Sequence, residues 1–146
     1  MIRIAILCIA TIIGLCACKK DEPQPENPIA DIIECNATQN LDSTAISAKL
    51  IGSWTWKKQS LPHSDQFKDA DKNIQATFSA DSTFSVKENS DVIAQGTWKL
   101  IYYSANHYAL QTNEYNQYIG GEVYFCDNQL LFSQTPFDGL DNLFEK

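Results

Sequence analysis

Arginine is nearly missing from this chain. Arg3 is the only one, and ten lysines face eighteen Asp and Glu residues. So few cations offer little to a phosphate backbone, whose recognition depends on charge neutralisation, and nucleic acid is excluded as a partner. Long apolar runs are missing too. The stretch Ile4–Leu15 has twelve residues, short of the roughly 20 that span a bilayer as a helix, and no second stretch approaches that length. Aromatic residues are absent from 18–53: all sixteen fall between Trp54 and Phe144, which places the core-forming part of the chain late. Histidine is scarce. Neither His63 nor His107 stands with a nucleophile and an orienting group at recognisable spacing. No Cys/His cluster has zinc-like spacing. The residues support no enzyme, metal or cofactor.

What is present begins at the N-terminus. Arg3 supplies a positive start, the apolar run follows, and Leu15-Cys16-Ala17-Cys18 ends it. A charged start, a short apolar segment and a small residue before a cut describe a secretory signal rather than an anchor helix. A cysteine after a small residue, with leucine three positions before the cut, resembles the lipobox of bacterial lipoproteins. Cys18 fits that pattern because Ala17 is small; Cys16 fits poorly because Leu15 would hold the small position. The resemblance implies a signal peptide over 1–17 and attachment to a membrane by lipid on Cys18. The competing reading is a cleaved secretory signal whose final cysteine is incidental.

Without residues 1–17 the chain keeps 146 − 17 = 129 residues, enough for one domain, and a formal charge of 10 − 18 = −8. Lys19–Ala30 (KKDEPQPENPIA) is polar, charged and proline-rich, a composition that cannot bury enough apolar area to fold. Residues 18–34 therefore read as the lipidated cysteine and a flexible tether, with the domain over 35–146. Lys19-Lys20-Asp21-Glu22 resembles the acidic export signal of Gram-negative surface lipoproteins. That implies an outer-membrane lipoprotein displayed on the cell surface, with a periplasm-facing orientation as the alternative.

Leu41, Ala45, Ile46 and Leu50 recur at helical spacing behind Asp42 and Ser43, either of which suits an N-cap. Beyond them the period changes to two. Trp54 and Trp56 alternate with polar residues, as do Ile74–Phe78, Phe84–Val86 and Gly96–Tyr102. Further strand patterns cover 107–113, 117–126, 129–134 and 141–145. Eight short strands between turn-rich steps predict an all-β, antiparallel up-and-down meander with a helical lead-in, closed as a barrel or folded as a sandwich.

Gly52-Ser53-Trp54 at the start of the first strand resembles the Gly-x-Trp of lipocalin barrels. The pair around Thr77–Phe84, the segment Gly96-Thr97-Trp98-Lys99-Leu100 and the ending Asp138–Lys146 are similar to lipocalin-like domains of bacterial lipoproteins. The resemblance covers about residues 50–146 and implies an eight-stranded barrel. It also implies that Lys146 packs over Trp54, against the alternative of a frayed terminal lysine. The chain departs from animal lipocalins in its shorter strands and in ending at its last strand, so a mostly filled interior is expected.

Other motifs are weaker. Asp69-Ala70-Asp71-Lys72-Asn73 mimics the start of a calcium loop, but Ile74 stands where the turn glycine belongs and Ala80 where the glutamate belongs. Asn36-Ala37-Thr38 is a formal glycosylation sequon. Tyr102, Tyr103, Tyr108, Tyr115 and Tyr118 gather around one hairpin, either as half-buried strand residues or as a platform for sugar or protein. Cys35 and Cys126 are the only thiols left once the signal is removed and Cys18 carries lipid. In an oxidising compartment they are expected to pair, the alternative being a buried free Cys126. Two functions follow: a lipocalin-like barrel holding a small apolar ligand, or a solid barrel meeting a surface partner through its loops.

Mass spectrometry of the membrane-extracted protein is expected to find Cys18 as an acylated N-terminus. Cys18→Ala should move the protein to the soluble fraction, and an unmodified terminus elsewhere would refute the anchor.

Overall fold

The computed structural model describes residues 28–62, 66–104 and 107–146. Cys18, the signal segment, tether residues 18–27 and His63 lie outside the described residues. Two helices, α1 (Pro28–Thr38) and α2 (Ser43–Leu50), precede the strands β1 (Gly52–Ser60), β2 (Phe67–Asp69), β3 (Ile74–Phe78), β4 (Thr83–Glu88), β5 (Asp91–Ser104), β6 (His107–Thr112), β7 (Gly121–Cys126), β8 (Gln129–Ser133) and β9 (Asn142–Glu145). Each strand pairs antiparallel with the next along the sheet, and β9 pairs back onto β1. The result is a closed eight-stranded barrel. β2 and β3 line the same edge of β1, at Lys58–Ser60 and Gly52–Thr55 respectively, so they act as one return strand broken at residues 70–73.

Local chemistry accounts for most of these elements. The Asp42 carboxylate accepts from the Ala45 N–H at 2.8 Å, as an N-cap should. Asn89-Ser90 closes the hairpin between Glu88 and Asp91 with both residues at positive φ, the geometry of a tight two-residue turn. The strand expected over 117–126 begins only at Gly121. The Asn116 side chain accepts from the Tyr118 N–H, and Gly120 sits at φ 117°, so 113–120 is a loop that still buries Tyr118 and Ile119.

The inward faces carry large rings. Trp54, Phe78, Phe132 and Phe144 are 0–2 % exposed. Phe132 meets Phe78 and Phe144 at centroid distances of 6.1 and 5.6 Å, and Phe78 meets Trp98 edge-on at 6.0 Å. Ile46 and Leu50 of α2 join the same core and close one end. An eight-stranded barrel is just wide enough for side chains to fill.

The seam between first and last strands has a polar centre. Asn142 is fully buried; its Oδ1 accepts from Trp56 Nε1 and Gln59 Nε2, both at 3.1 Å. Its Nδ2 donates to the carbonyls of Gln117 and Leu140, both at 3.0 Å. All four hydrogen-bonding positions of the amide are used. A register shift between Trp56 and Lys58 is what brings Gln59 opposite Asn142 (a β-bulge re-aims the side chains beyond it).

The outside of the barrel is covered on one side. Ile29, Ile32 and Ile33 of α1 pack on Tyr124, Leu131 and Leu143, one residue each from β7, β8 and β9. Residues 28–34, assigned to the tether from composition, are therefore helix and packed. Pro28 suits a first helical position and the isoleucines form a stripe at helical spacing. β6 and β7 share only the pairs Ala109–Glu122 and Leu110–Gly121. Beyond them α1 and the turn after it supply the missing partners: Phe125 N–H donates to Asn36 Oδ1 at 2.9 Å, and Gln39 Nε2 donates to the Phe125 carbonyl at 2.8 Å. The Cys35–Cys126 disulfide lies beside this junction, with Cα atoms 5.6 Å apart and a sequence separation of 91. Asn36 of the sequon is thus a structural residue.

Thiol labelling of the denatured, unreduced protein should find neither Cys35 nor Cys126 free. Cys35→Ser is expected to lower unfolding free energy by about 2–5 kcal/mol, because it releases a long loop in the unfolded chain. An unchanged denaturant midpoint would show that α1 holds without the bridge.

Candidate functional site

Two places are suggested by the chemistry-bearing residues: the closed end of the barrel and the outer face of the β5–β6 hairpin. At the closed end, Lys146 Nζ lies 4.5 Å from the centre of the Trp54 ring. It also donates to the carbonyls of Lys49 at 3.0 Å and Ile51 at 3.3 Å. These belong to the last turn and C-cap of α2, where unsatisfied carbonyls favour a cation. Trp54 in turn donates from Nε1 to the Leu50 carbonyl at 2.8 Å. Gly52, at φ 122°, makes the corner that passes beneath the lysine stem. Gly52, Trp54 and Lys146 thus form one cluster. Trp98 stands apart, bonded from Nε1 to the Thr83 carbonyl at 3.0 Å and packed edge-on to Phe78. Near it, Asn113 Oδ1 accepts from the Thr97 N–H at 2.6 Å and occupies the space where a side chain at Gly96 would project. The lysine, the glycines and these tryptophans hold the barrel together.

The outer face differs. Ile101 pairs with Ala109 and alternates with Leu100, which faces the core, so Ile101 and Tyr103 face away from it. There they border a trough of about 450 Å³. Ala109, Leu110, Ile119, Gly120 and Gly121 line it together with the exposed rings of Tyr103, Tyr115 and Phe137. Tyr103 and Phe137 touch with ring centroids 5.7 Å apart. Phe137 is held there by a single turn of 3₁₀ helix (Thr135–Phe137). The Asp141 carboxylate anchors that turn, its Oδ1 accepting from Ser133 Oγ at 3.0 Å, Gln134 N–H at 2.8 Å and Thr135 N–H at 3.0 Å.

The five tyrosines therefore separate. Tyr118 is buried against Trp56, with centroids 5.1 Å apart. Tyr108 packs on the core and touches Tyr102. Tyr102, Tyr103 and Tyr115 are exposed, and of these only the last two border the trough. Ile101 and Phe137 were missed as surface residues. The signals were present: Ile101 is out of phase with Trp98 and Leu100, and Phe137 is an aromatic placed inside a Pro-Phe-Asp-Gly turn.

A second cleft, of about 720 Å³, runs beneath Ile29 and Ile33 of α1 and includes Glu122, Tyr124 and Asp141. The Tyr124 hydroxyl donates to Glu122 Oε2. Burial, then this bond, push the phenol above its ordinary range, so it stays neutral and continues to donate in alkaline solution. In the acidic loop, Asp69 pairs with Lys58 at 3.8 Å and Asp71 with Lys68 at 3.6 Å. Among the described residues no three His, Cys, Asp or Glu side chains are grouped to hold a metal ion. His107 packs edge-on against Tyr124 at 5.6 Å.

Comparison of the chain with protein-family models, curated proteins and solved structures finds no match.

Lys146→Ala is expected to lower stability by about 0.5–1 kcal/mol for the ring contact at an exposed site, with some further loss from the α2 carbonyls. Tryptophan fluorescence should shift as Trp54 gains access to water. An unchanged melting temperature and spectrum would mean that the lysine contributes nothing in solution.

Proposed function

We propose that this chain is a lipid-anchored cell-envelope protein whose lipocalin-like barrel is a solid scaffold for a binding surface on its outside. Its address rests on Cys18 behind Ala17 and on the acidic residues that follow, which favour the outer membrane and display at the cell surface. One observation carries the functional part. Rings that face inward are packed against one another, whereas Tyr103, Tyr115 and Phe137 stand 51 %, 87 % and 51 % exposed around one trough.

Large apolar side chains exposed together around one hollow, rather than singly, are a feature of surfaces that meet a partner. Tyrosine suits such a surface because it offers a rigid apolar ring and a polar tip. The packing of Phe78, Phe132 and Phe144 favours this external site over a small apolar ligand enclosed in the barrel.

A photo-crosslinking residue placed at Phe137 or Tyr115 in cells is expected to give a discrete adduct. The same residue at Ala80, on the exposed β3–β4 turn, should give none. Equal labelling at all three positions, or none at any, would remove the trough as a binding surface.

A further inference from the structure

We infer that the trough on the β5–β6 face binds a neutral oligosaccharide. The inference rests on the reading of that trough as the binding surface, and it adds the chemistry of the occupant. Three observations support it. Among the described residues that line the trough the one charged side chain is Asp138. Lys99 stands beside the trough, opposite Gln111 across the hairpin, and Asp138 offsets its charge, so a phosphate, sulfate or acidic sugar would gain no net countercharge in a protein that is already acidic overall.

The shape is the second observation. The trough combines small residues in its lining, at Ala109, Gly120 and Gly121, with the exposed rings of Tyr103, Tyr115 and Phe137. Its volume, about 450 Å³, falls in the range of small-molecule sites, roughly 300–1,000 Å³.

The third is the mixture of apolar and polar groups. Tyr103, Tyr115 and Phe137 offer flat apolar faces to the C–H faces of sugar rings. Gln111, exposed on the same face, offers an amide that both donates and accepts, as do the two tyrosine hydroxyls. Hydroxyl groups of a sugar do the same, so each can be matched without a net charge on either side. A purely apolar ligand would leave these polar groups unpaired.

The test uses the lipidated chain in a zwitterionic detergent that carries no sugar headgroup. Glucose hexamers linked β-1,4, β-1,3 or α-1,4 and an α-1,6-linked mannose hexamer are titrated to 10 mM, with trigalacturonate as the anionic control. Amide shifts and calorimetry are the readouts. At least one neutral hexamer should shift the Gln111, Gly120 and Gly121 amides, and Tyr115→Ala or Phe137→Ala should weaken it at least tenfold. Both side chains are exposed, so these variants keep the fold. Tighter binding of trigalacturonate, shifts away from the trough, or affinities untouched by both variants would overturn the inference. So would the absence of any neutral binding at 10 mM. If crosslinking from position 137 then still gives its discrete adduct, only the saccharide is wrong. If the adduct is also missing, the surface itself falls.

Discussion

Pairing of β9 with β1 is the contact on which the other features depend. Without it the strands form an open, twisted sheet with two edges and no enclosed interior. The pairing is short, from Thr55 opposite Glu145 to Gln59 opposite Asn142, so backbone bonds alone hold it weakly. Asn142 reinforces it from inside by joining Trp56 and Gln59 of β1 to the loop carbonyls of Gln117 and Leu140. A buried amide that lost one partner would leave a polar group stranded at a cost of about 1–3 kcal/mol. The seam is therefore sensitive to register in a way that an apolar seam is not. Lys146, immediately beyond β9, extends the closure to α2 and the ring of Trp54.

The wall of the barrel is uneven. β3 and β4 bury one face and alternate accordingly, whereas β7, β8 and β9 are buried on both faces. α1 causes the difference, since its isoleucines cover Tyr124, Leu131 and Leu143. With the turn that follows, it also fills the place where β6 and β7 part, offering Asn36 and Gln39 to the backbone of Phe125. Side-chain amides carry the same donor and acceptor as a peptide bond, so a helix can complete a ladder that a strand leaves unfinished. The disulfide keeps that helix in place when local opening would otherwise expose the gap.

Rings from several strands occupy the interior and leave the barrel filled. On the outer surface the turn at Thr135–Phe137, tied down by Asp141, projects a phenylalanine beside Tyr103. For the binding surface we propose, a paired hairpin and an anchored turn would keep the geometry and lower the ordering cost.

Much of the fold could be read in advance because it depends on local rules. Period-two alternation, two-residue turns at Asn89-Ser90 and Asp127-Asn128, and the Asp42 cap each act over a few residues, so the sequence alone determined most strands, the lead-in helix α2 and the antiparallel order, but neither β2 nor the loop at 113–120. Cys35 and Cys126 are the two cysteines within 35–146, and the structure pairs them as expected. What composition could not decide was where the tether ends, because Ile29, Ile32 and Ile33 become a core only when β7–β9 present an apolar outer face. Nor could it tell exposed tyrosines from buried ones, since Tyr115 and Tyr118 lie in the same loop and differ only in which side of the wall they meet. The trough depends on β5, β6 and the 134–139 turn meeting across more than thirty residues of chain. Local periodicity carries no information about such a meeting; closure of the barrel decides it.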